Sequence, residues 1–328
     1  MTRLRDLFDG FTLALVATVA LAAVLPCRGR AAIAFDLITT LGVAALFFLH
    51  GARLSREAIL AGMTNWRLHL VVLASTFVLF PLLGLAMRPL AGWLLTPGLY
   101  LGLMFLCCLP STVQSSIAFT SIARGNVPAA VCSASLSNLV GVFATPLLVA
   151  LLPTAHGGGG SPLRAIGDIV LQLLAPFVAG QLLRPWIGAA VLRWRRVLAV
   201  TDRGTVLLIV YVAFSASVVE GLWHRVPPGA LLGTLVAAAM LLAAVLALTT
   251  FASRRLGFAR EDEIAIVFCG SKKSLASGVP MAKILFAGQP VLGMIVLPVM
   301  LFHQMQLMAC AVLAQRYARR ADDAAAVR

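Results

Sequence analysis

CCLPSTVQSSIAFTSIARGN, residues Cys107 to Asn126, begins as a membrane helix and then stops behaving like one. Leu99 to Leu109 is apolar enough for a bilayer. Pro110 then removes a backbone donor, and Ser111, Thr112, Gln114, Ser115 and Ser116 follow before helical character returns. The chain repeats the device in its second half, where FCGSKKSLASGVP, Phe268 to Pro280, interrupts another apolar segment at Gly270. Unwound backbone at membrane depth persists only where it lines a cavity or is buried in protein. Two such interruptions at matching places in two halves point to the binding site of a transporter.

Working outward from these breaks, 61% of the residues are hydrophobic, only 12% are charged, and the mean hydropathy is +0.98. A soluble domain carries about 25% charged residues, so the composition excludes one. An all-α polytopic membrane protein is expected, with ten spans near residues 11–26, 35–52, 68–87, 97–122, 127–152, 166–183, 205–223, 229–251, 263–286 and 290–314. The run PTAHGGGGSPLRA after Leu152 reads as a flexible linker between spans five and six. Five spans on each side of it make the second half an inverted copy of the first.

The net charge of +14 comes with a lopsided arginine distribution. With alternate loops assigned to opposite sides, eighteen arginines share the side of the N-terminus and five lie on the other. The positive-inside rule then puts both termini in the cytoplasm of a bacterial-type inner or plasma membrane, and it explains the charge without a nucleic-acid partner. The six cysteines show no CxxC spacing and five sit in apolar segments, as buried small hydrophobes do. Near the outer end of span seven, Glu220 is expected to pair with Arg225.

Each break frees backbone amides and carbonyls, with half-helix dipoles directed at the gap. Anions favour the amide ends and cations the carbonyl ends. Gln114, Ser115 and Ser116 at the first break, and Ser133, Ser135, Ser137 and Asn138 on the fifth span, are the candidate side-chain ligands. Serines so spaced also suit close helix packing. Spans four, five and ten contain no interior Asp or Glu, whereas Lys272 and Lys273, followed by Ser274, lie at the second break. An ammonium at that depth is expected to serve function, and one that faces the cavity favours an anionic substrate; snorkelling to the cytoplasmic edge is the alternative. His303, Gln304 and Gln306 place polar groups near the middle of span ten, where they must face protein or water.

LPSTVQSSIAFTSIARGNVPAAV (Leu109 to Val131), FFLHGARLSREAILAGMTNWRLH (Phe47 to His69) and GSKKSLASG (Gly270 to Gly278) resemble the bile acid:sodium symporter family. The resemblance is nearer to its SBF-like branch, which holds bacterial members and the vertebrate seventh member. It implies inverted repeats whose fourth and ninth helices break and cross. Residues 1–65 (helices one and two) and 166–226 (six and seven) would form a panel, and 66–153 (three to five) and 227–316 (eight to ten) a core. The linker would be 154–165, and 317–328 a cytoplasmic tail. Transport would proceed by rocking of core against panel. Ser116 falls on a family sodium-site serine, but Ile117, Ala130 and Ala134 replace other sodium ligands, Phe268 replaces the sodium-binding acid, and Lys272 and Lys273 replace a Gln-Asn pair. His303 and Gln304 match a pair beside the substrate. The expectation is an alternating-access carrier of a small organic anion, with no cofactor and with Na+ or H+ left open as coupling ion. The other function considered is a regulator of cellular Ca2+ homeostasis that moves no organic solute. An enzyme is disfavoured, since no metal-ligand spacing and no nucleophile with an evident base appear.

Overall fold

The computed structural model describes residues 10–53, 65–152, 162–219, 221, 226–287, 289 and 291–326. All regular elements among them are helical. In chain order they are α1 (Gly10–Val24), α2 (Gly29–Arg53), α3 (Trp66–Ala74), α4 (Phe80–Ala86), α5 (Arg88–Leu94), α6 (Pro97–Cys108) and α7 (Gln114–Ile122). Then come α8 (Val127–Ala150), α9 (Pro162–Arg193), α10 (Arg195–Val219), α11 (Pro228–Arg255), α12 (Arg260–Gly270), α13 (Leu275–Leu285) and α14 (Leu292–Ala326). A π-helical turn, Ser75–Leu79, joins α3 to α4 without a break.

Six of the described helices are long and apolar enough to cross a membrane: Gly29–Arg53, Trp66–Ala86, Val127–Ala150, Val200–Val219, Pro228–Arg255 and Leu292–Arg319. Many large apolar side chains are exposed along them, Leu37, Leu70, Leu147, Leu232 and Phe251 among them, as a lipid-facing surface requires. The protein is therefore an integral multi-pass membrane protein. Both interruptions expected from sequence are present: α6 ends at Cys108, two residues before Pro110, and α12 ends at Gly270. The glycine run at residues 157–160 and the expected Glu220–Arg225 pair lie outside the described residues. Two expected boundaries differ. Pro162 opens α9 within the expected linker, and α14 continues as helix to Ala326, through most of the expected tail.

Local chemistry places the helix ends. Thr96 accepts from the Leu99 amide and Pro97 supplies the fixed first-turn φ that starts α6. Asn126 accepts from the Ala129 amide at the start of α8, and its own amide donates to Asp262 at 2.7 Å. Glu261, Asp262 and Glu263 occupy the first turn of α12, where carboxylates complement the helix dipole. Glu263 also receives Arg254 at 3.0 Å and the Tyr317 hydroxyl at 2.8 Å. One acidic turn thus ties together the start of α8, the end of α11 and the C-terminal part of α14.

The helices fall into two packed sets. In one, α2 lies along α9 and α1 along α10. In the other, α6 packs on α14, while α12 contacts α3, α7, α8 and α11. The sets meet where α8 touches α9 and where α13 and α14 touch α10. The α2–α9 crossing needs two glycines, because a Cβ on Gly51 would overlap the Phe177 carbonyl and one on Gly180 the Phe48 carbonyl. Apolar lipid gives helices no hydrophobic reason to associate, so close backbone approach at small residues supplies the packing.

Gly51→Ala and Gly180→Ala are expected to lower the melting temperature of detergent-purified protein, each costing about 1–3 kcal/mol as overpacked contacts do. Gly204→Ala, where the space beside the helix is open, should leave it unchanged.

Candidate functional site

The two breaks meet in the interior, and each completes the hydrogen bonding of the other. The Ser274 amide donates to the Pro110 carbonyl at 2.9 Å. Ser111 Oγ donates to the Cys269 carbonyl at 2.5 Å, and Ser116 Oγ to the Phe268 carbonyl at 3.0 Å. Neighbouring helices supply amide side chains as further clamps. On α8, Asn138 Nδ2 donates to the Ser111 carbonyl at 2.9 Å, while its Oδ1 accepts from Ser277 Oγ at 2.9 Å. On α14, Gln306 accepts from the Lys273 amide at 2.8 Å and donates back to the Lys273 carbonyl at 2.9 Å. Gly141 of α8 leaves room for the Pro110 ring, which a Cβ there would strike at 2.7 Å.

Lys272 and Lys273 are fully buried, so neither snorkels to a surface. Lys273 Nζ donates to three backbone carbonyls, Thr76 at 2.7 Å, Cys107 at 2.8 Å and Leu109 at 2.7 Å. Cys107 and Leu109 belong to the end of α6, where carbonyls lack intrahelical donors, and Thr76 lies in the π turn, where the ladder is irregular. The ring of Phe80 stands 4.1 Å from the same nitrogen. Lys273 therefore sits as a tethered cation at the negative end of a half-helix. Lys272 is held differently. Its Nζ lies 3.9 Å from the centroid of Phe119 and 5.6 Å from that of Phe268, with no hydrogen-bond partner.

Beside the breaks is a cavity of about 440 Å³. Gln114, Ser115, Ser135, Asn138, Ser274 and His303 line it, six of the residues expected from sequence, together with Thr112 and Ser277. The half-helices α7 and α13 both begin at this wall, each presenting its N-terminal end. The facing wall comes from the other helix set: Phe11, Leu46, Phe47, Phe177 and Val206 are apolar, and Arg53, Asp202 and Arg203 are charged. Arg53 donates to Asp202 at 2.6 Å.

Other expected ligands take different places. Ser116 is buried between the breaks, and Ser133 pairs with His69 Nδ1 at 2.6 Å. Gln304, Lys272 and Lys273 are not among the cavity residues. Neither lysine side chain stands at the cavity wall; the Lys273 ammonium is instead enclosed by three backbone carbonyls. Gln306, Ser111 and Ser277 proved more deeply involved than their sequence context indicated. Polarity in an otherwise apolar helix was the available signal. Arg53, Asp202 and Arg203 were hidden among many cytoplasmic charges.

An apolar helical bundle whose two broken helices abut a cavity of small-molecule size with one polar wall has the build of a membrane transporter. The chain belongs to the SBF-like CPA transporter family, whose model matches residues 9–319, and is thus a transporter of the bile acid:sodium symporter type. It is 67% identical over 326 residues to an uncharacterized protein of Pseudomonas aeruginosa, covering 99% of this chain and 98% of that one. It is 55% identical over 321 residues to the provisionally named symporter YfeH of Escherichia coli, covering 98% and 96%. Sodium/bile acid cotransporter 7-B of Xenopus laevis is 30% identical over 291 residues, with 84% of this chain and 81% of the relative covered.

Replacing the lysines by methionine should separate their roles. Lys273→Met leaves up to three carbonyls without a donor, at about 1–3 kcal/mol each, and should markedly lower thermal stability in detergent. Lys272→Met exchanges an amine among rings for a thioether and should be close to neutral.

Proposed function

We propose that this protein is a secondary active transporter of an organic anion that works by alternating access about the paired breaks. The observation that carries the reading is the cavity. Two half-helix N-termini open on it, hydroxyls and amides line one wall, aromatic and aliphatic side chains line the other, and Asp202 is the only acid among its described lining residues. Helix N-termini attract negative charge, and the apolar wall suits an organic body. The volume of about 440 Å³ falls within the range of small-molecule sites, about 300–1,000 Å³. Relatives named as sodium/bile acid cotransporters support this substrate class.

The helices are read as ten crossings in two inverted halves. In support, Asn138 and Gln306, on the last expected span of each half, clamp the two breaks. The set α1, α2, α9 and α10 would be the panel, and the rest the core. The arginine distribution supports cytoplasmic termini. The cavity then lies toward the cytoplasm, since Arg53 ends α2 and Asp202 lies in the early part of α10. On the outer side, Lys283 of α13 pairs with Asp36 of α2 at 3.1 Å and also donates to Thr39. Asp36 and Arg53 are 17 residues apart on one helix, roughly 25 Å at 1.5 Å per residue, so this core-to-panel tie closes the opposite end.

Lys273 bears on the coupling ion. Its ammonium fills the carbonyl cluster that an alkali cation would otherwise use. Transport is therefore read as independent of Na+, leaving H+ as the candidate coupling ion.

In proteoliposomes with Na+, K+ and pH gradients imposed separately, organic-anion uptake is expected to persist when choline replaces Na+; uptake that stops without Na+ would refute the tethered-cation assignment. Lys283→Met should loosen the outer closure. A cysteine introduced by Ser115→Cys should then react faster with an impermeant maleimide added from outside than it does with Lys283 in place.

A further inference from the structure

Arg53 is a poor fit to a purely structural role. Its Nη1 donates to Asp202 Oδ2 at 2.6 Å, while its Nη2 is buried with no hydrogen-bond partner. A guanidinium presents a planar fork of donors matched to two oxygens of one acid. Here half of the fork is engaged. A buried N–H left without an acceptor is unfavourable, and tying α2 to α10 requires only the engaged half. The residue also lines the cavity, at the end of the apolar strip that includes Phe47 and Phe177. Local charge points the same way. Arg53 and Arg203 contribute two positive charges to this wall against the single negative charge of Asp202, and Arg203 is itself held near the cavity over the Phe11 ring at 5.6 Å.

Resting on the transporter reading above, we propose that Arg53 is a substrate-anchoring residue: the unengaged half of its guanidinium receives the compact acidic group of an amphipathic anion, a carboxylate or sulfonate. The apolar body of the ligand then lies along Phe47 and Phe177, and Asp202 is a resident counter-ion that competes with the substrate for the guanidinium. Arg53 and its counter-ion Asp202 both sit on the wall opposite the breaks. A bound anion would therefore bridge the two helix sets, with its acidic group on one and its remaining polar atoms facing Thr112 and Ser277 on the other.

The counter-ion relation gives variants with opposite signs. Arg53→Gln and Asp202→Asn both remove the ion pair, and a structural tie predicts the same effect from each. An anchor predicts that they diverge. The probes are cholate, 2-naphthoate and naphthalene-2-sulfonate, each paired with a neutral analogue (cholate methyl ester, 2-naphthamide, naphthalene-2-sulfonamide). Binding is read by the concentration-dependent thermal shift of the detergent-purified chain and uptake by proteoliposome flux. For whichever acids bind the unaltered protein, Arg53→Gln should weaken binding at least about tenfold. Arg53→Lys should recover part of the loss, and Asp202→Asn should bind as tightly or more tightly. The neutral analogues should bind weakly and be insensitive to all three changes. Equal weakening by Arg53→Gln and Asp202→Asn, or no weakening by Arg53→Gln, overturns the anchor while acid uptake by the unaltered protein leaves the transporter reading standing. If none of the three acids binds or is taken up, the transporter reading fails and the anchor falls with it.

Discussion

Inside a bilayer a backbone carbonyl without a donor has no water to turn to, and this constraint shapes the centre of the molecule. Breaking α6 and α12 frees such groups in the least forgiving place. The chain answers by bringing the two breaks together, so that Ser111, Ser116 and Ser274 of one interruption or the other satisfy carbonyls across the gap. Lys273 completes the arrangement with a single ammonium on three oxygens. The cost of desolvating that charge is offset only because all three donors are used and an aromatic face lies against it.

A second consequence is a division of labour between neighbouring lysines. Successive residues in unwound backbone point in different directions, so Lys273 enters the carbonyl cluster while Lys272 enters a cluster formed by Phe119, Phe268 and surrounding apolar groups. Neither reaches the cavity. The polar wall of that cavity is built instead from short side chains, Thr112, Ser115, Asn138 and Ser277, which are anchored by their bonds to the breaks and to one another. A site made from such groups is stiff, because its side chains are the ones that hold the interrupted backbone. Between the two helix sets, Lys283 and Asp36 form a charged tie.

Much of this was legible in the residues. Pro110 and Gly270, set in apolar stretches and followed by hydroxyls, marked both interruptions, because proline, glycine and serine act on backbone conformation directly. The absence of acids from three spans was a compositional fact and carried over to the wall of the cavity on the side of the breaks. Side-chain destination was less legible. Ser133 and Ser135 are two residues apart on α8, yet one pairs with His69 in the interior and the other lines the cavity. A helix turns about 200° over two positions, and the spacing does not reveal which face looks inward.

The sequence by itself determined that the chain is a helical membrane protein, that two of its helices are interrupted, and that cationic rather than acidic side chains occupy the second interruption. These follow from local properties: hydropathy over a span, the missing amide of proline and the depth of a charge. Only the tertiary structure decided that Lys273 is spent on backbone carbonyls and that Arg53, Asp202 and Arg203 face the breaks across a cavity. Those facts depend on residues far apart in the chain, Thr76 with Lys273 and Arg53 with Asp202, and a pairing across such separations is fixed by how helices pack, which no local pattern encodes.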